Sequence, residues 1–272
     1  MQKARVLYIA QEITPYLKES PMGKICRYLP QGIQERGKEI RTFMPRYGII
    51  NERRNQLHEV IRLSGMNLII NDTDHPLIIK VASIQQARMQ IYFIDNEDYF
   101  HRKFTIVNKN NKFYDDNDER AIFFSRGVLE TVKKLGWAPD IIHCHGWISS
   151  LTPLYLKKAF VDNPLFSDSK VICSIYNDGF SENLSKTFAK KLMLEGITED
   201  DLKHYKNGNY VNLMKAAIDF SDALILGNEN INPEVMTYLK DSGKPYLEYH
   251  PEETYVDAYN EFYDGIIGEP SS

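Results

Sequence analysis

Apolar positions along the chain fall into short continuous runs separated by stripes of helical period. Residues 6–10 form an unbroken apolar run, as expected of a parallel strand covered on both faces. A loop follows, carrying Thr14, Pro15, Ser20, Pro21 and Gly23. Ile25, Leu29 and Ile33 then recur at four-residue spacing and predict a helix face that ends near Gly37. Residues 41–44 read as a second strand, stopped by Pro45. This β–α–β opening sets the first loop at the carboxyl end of the first strand, where open α/β sheets bind ligands.

The texture changes over 57–94. Apolar pieces at 60–63, 68–70, 77–81 and 90–94 alternate with turn pairs such as Ser64-Gly65 and Asn71-Asp72, predicting a small β meander inserted on the main sheet. Residues 106–117 are polar and read as a surface loop. Ala121, Phe124, Val128, Val132 and Leu135 form a long helical stripe closed by Gly136. Strands at 140–143, 170–175 and 223–226 then alternate with helices at 151–160, 183–195 and 210–220. Asn232-Pro233 is a cap and first-turn pair for one more helix. The pattern is that of a doubly wound, mostly parallel Rossmann-like α/β domain over 1–243, with the meander at about 57–94. Residues 244–272 form an acidic, aromatic C-terminal appendage. It is either a short helix packed through Tyr255, Tyr259, Phe262 and Tyr263 or a tail that docks on a partner.

Composition narrows the class without naming a chemistry. With 43% hydrophobic and 26% charged residues the chain has the balance of a globular protein. A net charge of -4 argues against a nucleic-acid binder that relies on a large positive field. The charge is uneven: residues 1–50 hold nine Lys or Arg against four acids, while 248–269 hold seven acids and no Lys or Arg. An anionic ligand is therefore better served near the front. Cys26, Cys144 and Cys173 lack staple-like spacing, which suits a reducing compartment. The apolar run at the N-terminus is too short for a signal sequence, and no stretch reaches bilayer-spanning length, so a cytoplasmic protein with no membrane partner is expected. No dinucleotide glycine fingerprint, P-loop or serine-nucleophile elbow supports a different small-molecule enzyme on this frame.

Three blocks, in order, resemble bacterial glycogen synthases and plant starch synthases. The first is RVLYIAQEITPYLKES with GKICRYLPQGIQERGKEIRTFMPRYG, similar to the family's strand, Glu, K-T-G-G-L loop, helix and M-P-x-Y strand end. The second comprises YFIDNEDYF, LGWAPDIIHCHGW and LTPLYLK; the third is MKAAIDFSDALIL. Together they cover most of residues 3–236. The resemblance implies the N-terminal half of a two-domain GT-B-like architecture, a nucleotide-sugar substrate (ADP-glucose or UDP-glucose), an α-glucan or maltooligosaccharide partner, and no other cofactor. It also implies that the second domain, which holds most nucleotide-sugar contacts, lies outside this chain.

Carried over residue by residue, the resemblance marks Glu12, Lys18, Gly23, His143, His145, Trp147, Tyr176 and Asn177 as ligand-binding candidates. Lys18 stands where a loop lysine approaches the nucleotide phosphates, or is a solvated loop lysine. The two glycines that follow it in the family are replaced by the Glu19-Ser20-Pro21-Met22 stretch; Pro21 removes a donor and Glu19 adds negative charge. Gly23 serves helix entry or ligand approach. His143 and His145 contact a sugar or make structural hydrogen bonds at a strand end. Their shared strand face is the only argument for a metal, and no further ligands accompany them. In the family's H-x-H-D-W-H motif, Gly146 and Ile148 replace the Asp and final His, so a carboxylate and a polar contact are lost. Tyr176 replaces the His of T-I-H-N-L, and Asn177 contacts a hydroxyl-rich ligand or forms an Asx turn. Glu12 holds a sugar or caps the neighbouring loop. These departures favour a non-catalytic or partner-dependent glucan-related module, working with a second-domain protein or as a homo-oligomer. The alternative is glucose transfer to an α-1,4-glucan.

Overall fold

The computed structural model describes residues 3–268. Its frame is a sheet whose strands run in the order β10-β9-β8-β7-β1-β2-β6-β5-β3, with β4 paired to β5. In chain order the elements begin with β1 (Arg5–Ala10), α1 (Pro21–Glu35) and β2 (Glu39–Pro45). The meander supplies β3 (His58–Glu59), β4 (Met66–Ile70) and β5 (Thr73–Ile84), and β6 (Met89–Asp95) follows. After the short α2 (Glu97–Phe100) come α3 (Asn117–Leu135), β7 (Ile141–His145), α4 (Thr152–Lys158) and β8 (Lys170–Ile175). The last third contains α5 (Phe188–Lys191), α6 (Tyr210–Phe220), β9 (Ala223–Leu226), α7 (Pro233–Asp241), β10 (Tyr246–Leu247) and α8 (Tyr255–Ile267). From β10 across to β6 every pairing is parallel; β5 and β3 extend the sheet antiparallel.

Strand alternation divides the core into two layers. Leu7 and Ile9 of β1 join the larger cluster with Val128 of α3, Leu154 of α4 and Leu213 of α6. Val6 and Tyr8 point the other way, onto Leu29 and Ile33 of α1 and Tyr255, Tyr259 and Tyr263 of α8. The helix ends follow local chemistry. Ser20 caps α1 by accepting from the Gly23 N–H, with Pro21 in the first turn, and Asn232 caps α7 in the same way through Glu234 and Val235. Gly136 ends α3 in a left-handed conformation, which glycine adopts without steric cost.

Two expectations change, and of the two alternatives for the C-terminal segment the structure has the helix. Residues 90–94 belong to β6, a parallel neighbour of β2 in the main sheet, so the inserted part is β3 to β5. A short apolar run reads alike in either setting because its periodicity does not report the partner's direction. The helix expected over 183–195 shrinks to α5. Tertiary hydrogen bonds tether that segment instead: the Leu184 backbone N–H donates to the Gly208 carbonyl, and the Ser185 and Lys191 side chains reach Asp118. Residues 255–267 form the packed helix α8, whose tyrosines at four-residue spacing close one sheet face.

An ion pair fastens α8 to the strand side. The Lys38 ammonium lies 2.6 Å from Asp264 and donates to Asn260 Oδ1 at 2.8 Å, with both charged side chains buried. Removing one partner leaves the other charge in a dry site, whereas removing both does not. Lys38→Met is expected to destabilise the protein by about 3–5 kcal/mol in chemical denaturation, with Lys38→Met/Asp264→Leu recovering most of the loss. Equal stability of the two variants would count against a desolvated pair.

Candidate functional site

The carboxyl ends of β1, β7, β8 and β9 meet along one edge of the sheet. The loop after β1 brings Gln11 and Glu12, and the turn after β7 brings Gly146, Trp147 and Ile148. Tyr176, Asn177 and Asp178 follow β8; Gly227 and Asn228 follow β9.

Glu12 is half-buried and accepts from Ser20 Oγ at 2.6 Å, while Ser20 Oγ accepts from the Gly23 N–H at 2.9 Å. Glu12 thus orients the cap of α1, and Gly23 lies in the first turn of that helix. A Cβ at Gly23 would stand 3.0 Å from both Ser20 Oγ and Thr14 Oγ1, so the residue is small because the cap is tight. Lys18 is exposed, with no salt bridge to a described acid. Asn177 is exposed at the edge, and its N–H donates to Asn228 Oδ1 at 2.7 Å.

The two histidines lie elsewhere. His143 and His145 share the face of β7 that is covered by α8, and both are fully buried. One nitrogen of His143 meets Tyr263 Oη at 2.5 Å and the other Ser174 Oγ at 2.7 Å; His145 Nδ1 meets Tyr176 Oη at 2.7 Å. Burial drives both basicities down: His143 titrates well below the usual imidazole range, aided by its neighbour His145, and His145 falls to about 3. Both rings therefore make buried hydrogen bonds within the strand layer. Cys144 points to the opposite face and joins the other core layer, so it does not converge with them on a metal. Tyr176 is buried, and a Cβ at Gly227 would collide with its ring.

Trp147 and Ile148 are also fully buried. The Trp147 indole packs against Phe113 and edge-on to Phe180, rather than facing an open cleft. The Trp147 N–H donates to Asp178 at 3.0 Å, and the Ile148 N–H to Gln11 Oε1 at 3.1 Å. Gly146 has a φ of +85°, and a Cβ there would come within 2.7 Å of Gln11 Cβ and 2.8 Å of its Oε1. The Gln11 side chain thus fills the space that a residue-146 side chain would enter.

Gln11, Asp178 and Asn228 shape this edge but were not among the sequence candidates. Each is a polar residue one to three positions beyond a buried strand, which is the signal that could have found them. Asp178 is half-buried and accepts from the Trp147 N–H and from Tyr210 Oη at 3.0 Å. Burial raises its carboxyl to about 6 against the pull of these donors.

Two pH effects of opposite sign follow. Neutral His143 and His145 contribute stability that is present above about pH 6.5 and lost on acidification, because only the unfolded chain takes up their protons. Below that pH each adds about 1.4 kcal/mol per pH unit to the slope of unfolding free energy, so His145→Gln should flatten the slope by about one proton in denaturation series from pH 7 to 4. An unchanged slope would show that His145 remains protonatable in the fold. Asp178 acts in reverse, since the native state holds its proton up to about pH 6 and stability falls as pH rises through that range. Asp178→Asn should therefore gain on the wild type by on the order of 2 kcal/mol between pH 4 and 7. A pH-independent difference would contradict the raised carboxyl.

Comparison with known proteins is consistent with this architecture. The sequence profile of the starch synthase catalytic domain matches residues 5–247. A glycogen synthase from Chlorobium limicola is 37% identical over 222 residues, covering 81% of this chain and 45% of that protein. One from Pelodictyon phaeoclathratiforme is 34% identical over 241 residues, covering 86% and 48%. The chain thus spans about half the length of the curated relatives it matches. The catalytic domain of starch synthase IV from Arabidopsis thaliana, solved with ADP and acarbose, superimposes with a TM-score of 0.70 at 18% identity, covering 91% of this chain and 51% of that one. That likeness establishes the mostly parallel, GT-B-type α/β fold, and with the sequence matches it shows that the chain belongs to the starch synthase catalytic domain family.

Proposed function

We propose that this chain is a glucan-related module of the glycogen and starch synthase family whose own edge does not carry glucosyl transfer. The observation that carries the reading is Gly146 packed against Gln11. Where the family motif has an aspartate, this backbone has a positive φ and the neighbouring side chain occupies the space for a Cβ. Ile148 is buried where the motif has a histidine, and Pro21 stands at the start of α1 where the motif has a glycine. Transfer from a nucleotide sugar needs charge stabilisation of the leaving diphosphate in a closed, dry cleft. Of the candidates, Lys18 and Asn177 alone present exposed side chains at this edge, too few to supply that stabilisation.

The remaining chemistry favours hydroxyl-rich ligands over diphosphates. Glu12, Asp178 and Asn177 offer acceptors and an amide, and the raised carboxyl of Asp178 is suited to hydrogen bonding in either protonation state near pH 6. Turnover is assigned to partnership with a second-domain protein or a second copy of the chain. The alternative reading is direct glucose transfer from ADP-glucose or UDP-glucose to an α-1,4-glucan, as the names of its relatives suggest.

Titrating purified protein with ADP-glucose, UDP-glucose and maltooligosaccharides, with nucleotide release measured in the same samples, separates the two. Saccharide binding without release is the expected result. Acceptor-dependent release of ADP or UDP by the chain alone would replace the module reading with the transferase one.

A further inference from the structure

The amino-terminal edge of the sheet carries a second concavity, at the opposite end of the strands from the carboxyl edge. A pocket of about 500 Å³ lies where the chain enters β1, β2 and β6, beside the last turns of α1. These three strands run parallel, and the seven residues of β2 set the two edges about 20 Å apart. The volume falls within the range of small-ligand sites, roughly 300–1,000 Å³. Ile40 and the buried Met89 give it an apolar side.

Its charges are not balanced. Lys38 is engaged by Asp264, and Glu39 is held by Arg5 at 3.5 Å and by the Trp137 indole N–H at 2.5 Å. That leaves Lys3 and Arg88, both exposed, without a carboxylate in ion-pair reach among the described residues. Arg88 follows the turn Gln85–Ala87 with a φ of +49°, a left-handed conformation that favours glycine or asparagine. An arginine in that position keeps a guanidinium on the pocket wall despite local strain. Gln34 of α1 also lines the pocket, and its buried Oε1 has no hydrogen-bond partner. A side-chain amide holds both a donor and an acceptor, so it can meet a ligand oxygen or a ligand hydroxyl.

We propose that this pocket binds a small metabolite through a phosphate monoester group. Two uncompensated cations match the charge of such a group, about -1.5 to -2 at neutral pH. A guanidinium fork can pair with two phosphate oxygens, while an ammonium acts as a point charge beside them. The pocket is larger than a bare phosphate, and Ile40 and Met89 offer apolar contact to the rest of the molecule. The proposal is independent of the glucan-related reading, because none of these residues belongs to the carboxyl edge.

The test titrates the full chain with glycerol 3-phosphate and with inorganic phosphate, following backbone amide shifts by NMR and heat by calorimetry. Saturable binding is expected, with shifts centred on residues 34 and 88–90 and with the monoester the tighter ligand. Arg88→Gln and Lys3→Gln are each expected to weaken it by about tenfold. Both side chains are exposed, and matching thermal unfolding curves establish that the variants fold. Shifts confined to the turns after β1, β7 and β8 would move the anion to the opposite edge and overturn the proposal. So would unchanged affinity in both variants, or no saturable binding at about 10 mM ligand. Tighter binding of inorganic phosphate would overturn the monoester assignment.

Discussion

The structure depends on a buried polar seam between the central strands and the last helix. Strand alternation turns Tyr8, His143 and His145 into one dry layer, where every imidazole nitrogen left unpaired would be costly. The hydroxyls of Tyr263, Ser174 and Tyr176 meet three of the four. Because Tyr263 belongs to α8, the helix does more than cover apolar surface: it supplies a partner to the middle of the sheet. The Lys38–Asp264 contact and the Arg36–Asp257 pair hold it against α1 and the start of β2.

That seam has a consequence for chemistry. Histidines whose motif suggests ligand contact are used as neutral hydrogen-bonding groups within the core, and depressed basicity keeps them uncharged at physiological pH. Neighbouring side chains hold the strand-end turn. Gln11 caps the Ile148 N–H and fills the space beside Gly146, while Asp178 caps the Trp147 N–H. An aspartate at 146 would meet both a positive φ and the Gln11 side chain. At least two positions hold the present arrangement.

The opposite end of α1 shows the same economy of parts. Glu12, Ser20 and Gly23 form a continuous hydrogen-bonded entry to the helix. What stays open at this edge is the concavity between α1 and the segment after β10. Its walls carry Tyr28 and Tyr249, and its one lysine, Lys24, faces the carboxylates of Glu19 and Glu252.

The sequence by itself determined the scaffold. The apolar run at 6–10, the stripe from Ala121 to Leu135 and the Asn232-Pro233 cap correspond to β1, α3 and α7, because burial on both faces, helical period and cap chemistry are local properties. The strands β8 and β9 and the helix α6 were legible for the same reason. Only the tertiary structure decided which side chains reach an open surface. Period-two alternation says that His143 and His145 share a face, but not that α8 covers it; the texture of 90–94 says strand, but not that its neighbour is β2. Likewise, Gly146 is visible as a missing carboxylate, but its positive φ and the crowding by Gln11 arise from contacts 135 residues apart along the chain. Side-chain identity is a local fact. Exposure depends on what the rest of the chain brings to the same place.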